Sequence, residues 1–533
     1  MISTLTRRGA LGAGMGLGLT AATAALTAEP GVTEGAPESV ERWGVLEITL
    51  TGPHVANPFT DVSISAVFAH GERRIEAPGF YDGDGLWRVR FSPDQEGDWT
   101  WATRSDAAEL DGRAGAFHVT PPGAGNHGPV GVIDTFHFAH ADGTPYRQLG
   151  TTAYGWTHQS EARRRLTLET LAASPFNKIR MLVFPNSHIP NEPVFPFEKA
   201  GPGAAVWDLT RFNPAFFQRL DRQVAALMTL GVQADVILFH PYDDGAWNFD
   251  RLPAEADDRY VRYVVARLAA YRNVWWSVAN EFDILEDKTD ADWDRLFQVV
   301  RDSDPHARLR SIHNWRRIYD NGKPWVTHAS IQNGSAVLDD ARAVIYRDVW
   351  YKPVVFDEVR YEGTMEDRWG NLTGQEMTRA FWEGLIAGTY VGHSETTPNS
   401  EEGFWLVVGG TLVGESPPRL AFFRRVMDEA PAPGYEPIDK WWEQHLGGKA
   451  GQLYLRYFGE DAPTQWEVNL PRDELEGGER FEVDVIDTWN MTIDTLPGVF
   501  AMARKDRYFF HDPARPTVSL PGRPWMAVRV RRV

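Results

Sequence analysis

Two glutamates of this 533-residue chain stand where a carboxylate can do chemistry. Each ends an apolar run, Val274-Trp275-Trp276-Ser277-Val278-Ala279-Asn280-Glu281 in one case and Pro353-Val354-Val355-Phe356-Asp357-Glu358 in the other. Short apolar runs closed by polar residues read as strands covered on both faces. If two such strands deliver their glutamates to one cavity, the pair can act on a bond held between them. One carboxyl gives a proton to a departing oxygen while the other attacks or activates water, which is the chemistry that cleaves a glycosidic bond. Either glutamate alone could instead start a helix or hold a cation. The two together, with Asn280 directly before the first, point to a site.

Other polar side chains fall at comparable positions. Arg180 ends a third apolar run, and a cation beside a carboxylate keeps it ionised. An ion pair on the surface is the other reading. His240, His313 (with Asn314) and His393 (with Glu395) follow three more runs. Each could hydrogen-bond sugar hydroxyls or serve as a satisfied structural residue. Trp156 could be a stacking platform for a sugar or a packing residue. No metal and no cofactor are expected: His-Glu-x-x-His, Gly-x-Ser-x-Gly and a phosphate-binding loop are all missing from the sequence, and the three histidines lie on separate strands. The acidic run Glu286–Asp292 lacks calcium-loop spacing and reads as a solvated helix start with an Asp at its N-cap.

These residues need a scaffold. Residues 129–430 alternate candidate strands (146–152, 178–184, 232–239, 273–279, 309–313, 326–331, 353–357, 388–393) with amphipathic runs such as 212–229 and 258–270. Eight repeats of this kind predict a (β/α)8 TIM barrel, whose catalytic residues lie at the C-terminal strand ends. A doubly wound open sheet is the competitor and would favour a glycine-rich loop after an early strand. Residues 39–120 read as short strands and turns, an Ig-like β-sandwich, and 439–533 as a second β-sandwich. The fold class is therefore α/β, a barrel flanked by two β-sandwich domains.

Composition narrows the partners. The chain has 54 Lys plus Arg against 73 Asp plus Glu, a net charge of −19, which argues against a nucleic-acid partner. It has 21 Trp and no Cys, so disulfides, thiolate metal sites and a cysteine nucleophile are excluded. Residues 1–28, with Thr6-Arg7-Arg8-Gly9-Ala10-Leu11 before an apolar Gly/Ala-rich run, resemble a twin-arginine export signal. The expected location is secreted or cell-envelope, with no stable membrane insertion; an N-terminal anchor is the alternative. Oligomeric state is not legible.

The motifs also carry a resemblance. Asn280-Glu281 and Glu358 resemble the catalytic pair of clan A glycoside hydrolases. Phe138–Tyr146, Leu149–Trp156, Phe176–Met181 and Gly409–Pro417 are similar to the apiosidase-like subgroup, whose barrel commonly follows an Ig-like domain and precedes a small β-domain. The resemblance implies a retaining hydrolase with a carbohydrate substrate. Glu281 would be acid/base, Glu358 the nucleophile, Asn280 a partner of the sugar 2-hydroxyl, and Arg180 a neighbour of the nucleophile. Phe282-Asp283 stands where the clan commonly has Pro, a departure that bears on the neighbouring subsite. The acid role needs a raised Glu281 pKa, expected from the Glu358 charge and the apolar Trp275 and Trp276. Exo action is expected from the resemblance and from the Trp-bearing segment 394–416, which could wall off a pocket. A non-catalytic carbohydrate-binding protein and an inverting hydrolase are the rival readings.

Overall fold

The computed structural model describes residues 35–203, 205–333, 340–399, 403–440 and 443–533; the export-signal reading of residues 1–28 lies outside them. Eight parallel strands form the centre: β1 (Gly150–Thr152), β2 (Lys178–Leu182), β3 (Gln233–Phe239), β4 (Val274–Ala279), β5 (Arg310–Ser311), β6 (Ala329–Gln332), β7 (Val354–Glu358) and β8 (Tyr390–His393). Sequence neighbours pair in parallel except β5 and β6, and β8 pairs with β1. A parallel bridge between His313 and Ser330 joins the β5 and β6 edges. The strands are buried along their length because helices cover the outer face and side chains fill the inside.

The helices are α1 (Glu161–Ala173), α2 (Pro214–Thr229), α3 (Ala254–Leu268), α4 (Asp290–Ser303), α5 (Asp340–Trp350), α6 (Gly374–Ile386) and α7 (Ser416–Asp428). Their starts follow from local chemistry. Asn213 caps α2, which has Pro at its first position. Thr289/Asp292 and Thr373/Glu376 form capping boxes on α4 and α6. The cap of α4 is thus Thr289, and the acidic run supplies the reciprocal Asp292 rather than the cap itself. The alternation fails once: residues 312–328, between β5 and β6, contain no helix. That leaves the β5–β6 side of the wall to a loop, and the loop reaches the functional end.

A three-stranded antiparallel sheet (130–133, 137–140, 145–146) closes the N-terminal end of the barrel. Its Phe138 packs on Trp275, His328 and Tyr390, with ring centroids 5.1, 5.7 and 5.2 Å away. Beneath this plug, fully buried Lys178 donates to Asp235 (2.9 Å) and Asp357 (2.8 Å).

The N-terminal domain is a seven-stranded antiparallel-rich sheet folded over its own core of Leu46, Ile48, Phe68, Trp87, Phe91 and Trp99. Strand Gly97–Ser105 alternates buried and exposed residues, as a half-covered strand must. It docks on the barrel through buried ion pairs, Arg90–Asp221 (2.9 Å) and Arg267–Asp82 (2.7 Å). The C-terminal domain has its own core around Tyr454, Phe481, Val483 and Val528. Tyr457 from this domain stacks on Trp382 of α6 at 5.7 Å.

Candidate active site

The end of β4 is held from both sides. The Asn280 N–H donates to Phe239 O of β3 (2.9 Å), and the Phe282 N–H to His313 O beyond β5 (3.0 Å). Between them Glu281 takes a left-handed backbone, φ 47° and ψ 49°. That conformation is costly for a residue with a Cβ, and such outliers concentrate where function demands a side-chain direction. Asp283 accepts the N–H groups of Trp315, Arg316 and Arg317 at 2.6, 2.9 and 2.7 Å. The departure from Pro therefore has a structural consequence: it anchors the helix-free β5–β6 loop against the end of β4.

One unbroken chain of hydrogen bonds links the two glutamates. Arg180 donates to Glu358 Oε1 (3.0 Å) and to Asn280 Oδ1 (2.5 Å). Asn280 Nδ2 donates to the Tyr242 hydroxyl (2.6 Å), which donates to Glu281 Oε2 (2.9 Å). The Tyr154 hydroxyl donates to Glu358 Oε1. Burial, then the Glu358 charge, push that phenol well above its ordinary range, so it stays a donor. His313 Nε2 lies 3.3 Å from the same oxygen.

The two carboxyls are driven in opposite directions. Burial pushes Glu281 up, the Glu358 charge adds to it, and the result is about 7. Burial would push Glu358 up too, but His313, Arg180 and Tyr154 outweigh it and hold the carboxyl down at about 2. At neutral pH the site thus holds one carboxylate and one carboxyl near its midpoint, the division of labour that acid–base work on a leaving group needs. Trp275 and Trp276 take no part. Trp275 lies at the plugged end against Phe138, and Trp276 donates to Asp304 (3.0 Å). They lie six and five positions before Glu281, at most roughly 16–20 Å along the chain.

A cavity of about 740 Å³ opens beside Glu281, lined by Trp315, Gln332, Arg360, Trp369 and, from the C-terminal domain, Glu460. Glu358 is buried, with 3% of its surface exposed.

Of the residues singled out in the sequence, Arg180, Asn280, Glu281, His313 and Glu358 come together. Three do not join this network. His240 spends both ring nitrogens on backbone, Phe184 O (3.0 Å) and Tyr242 N–H (3.1 Å), and burial lowers its pKa to about 4. It holds the turn that aims Tyr242. His393 bonds Thr151 (3.1 Å) and stacks on Phe176 at 4.6 Å, with its pKa lowered by burial to about 3. Trp156 is fully buried, so it is a packing residue and no platform. Its companion Trp405, in the segment after β8, is also fully buried and donates to Thr151 (2.8 Å). Glu395, which follows His393, accepts the Val413 N–H (3.1 Å). Burial and the Glu362 charge raise it to about 8. A Cβ on Gly414 would stand 2.6 Å from both of these carboxyls, so the loop needs glycine there.

Tyr154, Tyr242, Ser330 and Asp357 were missed. A usable signal existed for Asp357, which directly precedes Glu358 in a run otherwise apolar. For Tyr154 and Tyr242 the signal was position just past a strand end; nothing marked Ser330.

The family described as apiosidase-like, catalytic domain, matches residues 134–394. Two domains of unknown function match on either side, DUF5060 at 39–106 and DUF5605 at 442–531. No curated protein matches the chain. A crystal structure of a putative glycoside hydrolase from Bacteroides vulgatus ATCC 8482 is 38% identical, with TM-score 0.90 over 93% of this chain and 100% of that one. A glycoside hydrolase family 5 structure from the same organism shares the fold at 12% identity, with TM-score 0.55 over 76% of this chain and 94% of that one.

Proposed function

The chain belongs to the apiosidase-like glycoside hydrolases, and we propose that it cleaves its glycosidic bond by double displacement, with Glu358 as nucleophile and Glu281 as acid and base. The observation that carries the reading is the opposed setting of the two carboxyls, Glu358 at about 2 and Glu281 at about 7. In the first step a Glu358 oxygen bonds to the anomeric carbon as the bond to the leaving oxygen breaks. Glu281 gives that oxygen its proton. In the second step Glu281, now a carboxylate, takes a proton from water as the water oxygen bonds to the anomeric carbon and Glu358 leaves. Arg180 holds Asn280 with its amide toward Tyr242 and Glu281, where it can meet the sugar 2-hydroxyl.

The substrate is a carbohydrate. Exo action on a chain end or short glycoside is supported by the resemblance and by the cavity, bounded by the β5–β6 loop, the β7 loop and Glu460 of the C-terminal domain. The segment after β8 does not support it as first expected, because its tryptophan packs into the wall. Export through a twin-arginine signal, to the envelope or medium, rests on Arg7-Arg8 and the apolar run behind them.

The test is the stereochemistry of hydrolysis on an aryl glycoside that the enzyme accepts, followed by proton NMR. The first-formed sugar is expected to keep the anomeric configuration of the substrate. Inverted product would overturn double displacement and leave a single-step hydrolase on the same barrel.

A further inference from the structure

The cavity beside Glu281 departs from the charge pattern of the chain. The whole sequence has 54 Lys plus Arg against 73 Asp plus Glu. The cavity wall sets four arginines, Arg316, Arg360, Arg368 and Arg379, against Asp367, Glu376, Glu460 and Glu281, the last near its midpoint at neutral pH. The other three acids are already occupied. Asp367 accepts the Trp369 N–H (2.7 Å), and Glu376 accepts the Thr373 N–H (2.8 Å) at the start of α6. Glu460 pairs with Arg379 (2.9 Å), which also meets buried Glu383 (3.4 Å). Among the described residues, the remaining three arginines form no ion pair with a carboxylate. Arg360 donates from Nε to Arg368 O (2.6 Å) and from Nη2 to Asn371 Oδ1 (2.6 Å). Both acceptors are neutral, so the guanidinium is fixed in place with no anion against it. Its backbone is left-handed, φ 80°, a strain that concentrates where a side-chain direction is used. The Arg316 guanidinium lies over the Trp315 ring, 3.8 Å from its centroid, which is again an uncharged hold.

The lining also says which side of the scissile bond the cavity serves. Glu281 borders it and Glu358 does not. The acid meets the leaving oxygen, so the cavity takes the leaving portion of the substrate. We propose that it is an anion-binding leaving-group subsite, which selects glycans whose sugar on the leaving side carries a carboxylate or a sulfate. Arg360 is the fixed cation, and Arg316 and Arg368 line the same space. A guanidinium presents N–H donors in a fork that matches the oxygens of either anion. Trp315, 38% exposed, and Trp369 offer flat faces to the sugar ring that bears it. The selectivity follows from what holds the arginines. A guanidinium neutralised by a carboxylate has nothing left to gain from a substrate anion, as at Arg379. One held by a carbonyl, an amide or an indole keeps its charge for the ligand. The inference rests on the role of Glu281 as the acid proposed above.

The experiment uses the full-length protein and two matched aryl glycosides of a sugar that it accepts. One has a carboxylate on the aromatic leaving group, the other a methyl ester at the same position. The quantity read is the ratio of their kcat/KM values, carboxylate over ester, in wild type and variants, so that the intrinsic reactivity of the two leaving groups cancels. The ratio is expected to fall about tenfold in Arg360→Gln, the worth of one charge-assisted hydrogen bond, and in the same direction in Arg316→Gln. Arg360→Lys, which keeps the charge, should recover part of it. In the wild type the ratio should also shrink between low salt and about 0.5 M salt. Arg316 touches only the Trp315 ring, so Arg316→Gln decides the matter even where Arg360→Gln fails to fold. A second arm identifies the anion through reducing-sugar release from acidic polysaccharides before and after carboxyl reduction, and from sulfated ones before and after desulfation. Loss on reduction assigns a uronate, and loss on desulfation a sulfate ester. A ratio unmoved in the variants, or faster release from the neutralised glycans, would overturn the proposal. A ratio that falls in a protein whose Glu281→Gln variant stays fully active would sink the acid assignment alone; an unmoved ratio with an inactive Glu281→Gln variant would sink the subsite alone.

Discussion

The ends of β4 and β7 carry the same residue type at the same place in the fold, and they prepare it for opposite work. Glu281 leaves β4 in a left-handed turn, opens on the cavity and has a phenol as its hydrogen-bond donor. Glu358 ends β7 within the regular strand, is buried, and faces a guanidinium, a phenol and an imidazole. Burial raises both carboxyls; only Glu358 meets groups from other strands, Arg180 of β2 among them, that reverse it. The lesson is that desolvation alone makes an acid, and desolvation with paired cations makes a nucleophile.

The sharpest way to break this contrast is to remove each carboxylate and offer a small anion in its place. Glu358→Ala and Glu281→Ala should each lose roughly 10³-fold or more in kcat/KM on an activated aryl glycoside. Added azide should then rescue each differently. In Glu358→Ala it attacks the anomeric carbon once and gives the glycosyl azide of inverted configuration. In Glu281→Ala it replaces water in the second step and gives the retained one. Exchanged products would swap the two roles.

A smaller effect lies in the pH profile. Activity needs Glu281 protonated, so kcat/KM should fall above about 7. Tyr242 donates to the ionised form and so lowers this pKa. Tyr242→Phe should therefore move the alkaline limb upward, by under about one pH unit. A downward move would mean that the phenol stabilises the protonated acid instead.

The smallest effect is on stability. Glu281 ordinarily titrates near 4.5 and in the folded protein near 7. As pH rises from 4.5 toward 7 the unfolded chain ionises first, so folding loses stability across that window. Glu281→Gln cannot ionise. It should melt a few degrees above the wild type at pH 8, with the gain fading toward pH 4.5, as thermal melts at both values would show. Equal melting at pH 8 would mean that Glu281 titrates normally.

Much of this was legible in the residues. The two buried strands, the polar residue at each mouth and the eightfold alternation set Glu281 and Glu358 toward one cavity, and the family resemblance added Asn280 and Arg180. The rest was not, because side-chain direction past a strand end depends on the turn. Tyr154 and Trp156 lie two residues apart after β1. One reaches the nucleophile and the other disappears into packing, because a 3-10 turn begins at Trp156. His240 and His313 likewise follow strands β3 and β5, and only the second finds a carboxylate.

By itself the sequence determined where strands end and which chemistry waits there, since apolar patterning and residue type are local properties. The tertiary structure alone decided what each carboxyl is. Its charge state is set by groups more than a hundred residues away, Arg180 and Tyr154 on Glu358, and by burial that exists only once the barrel has closed around them.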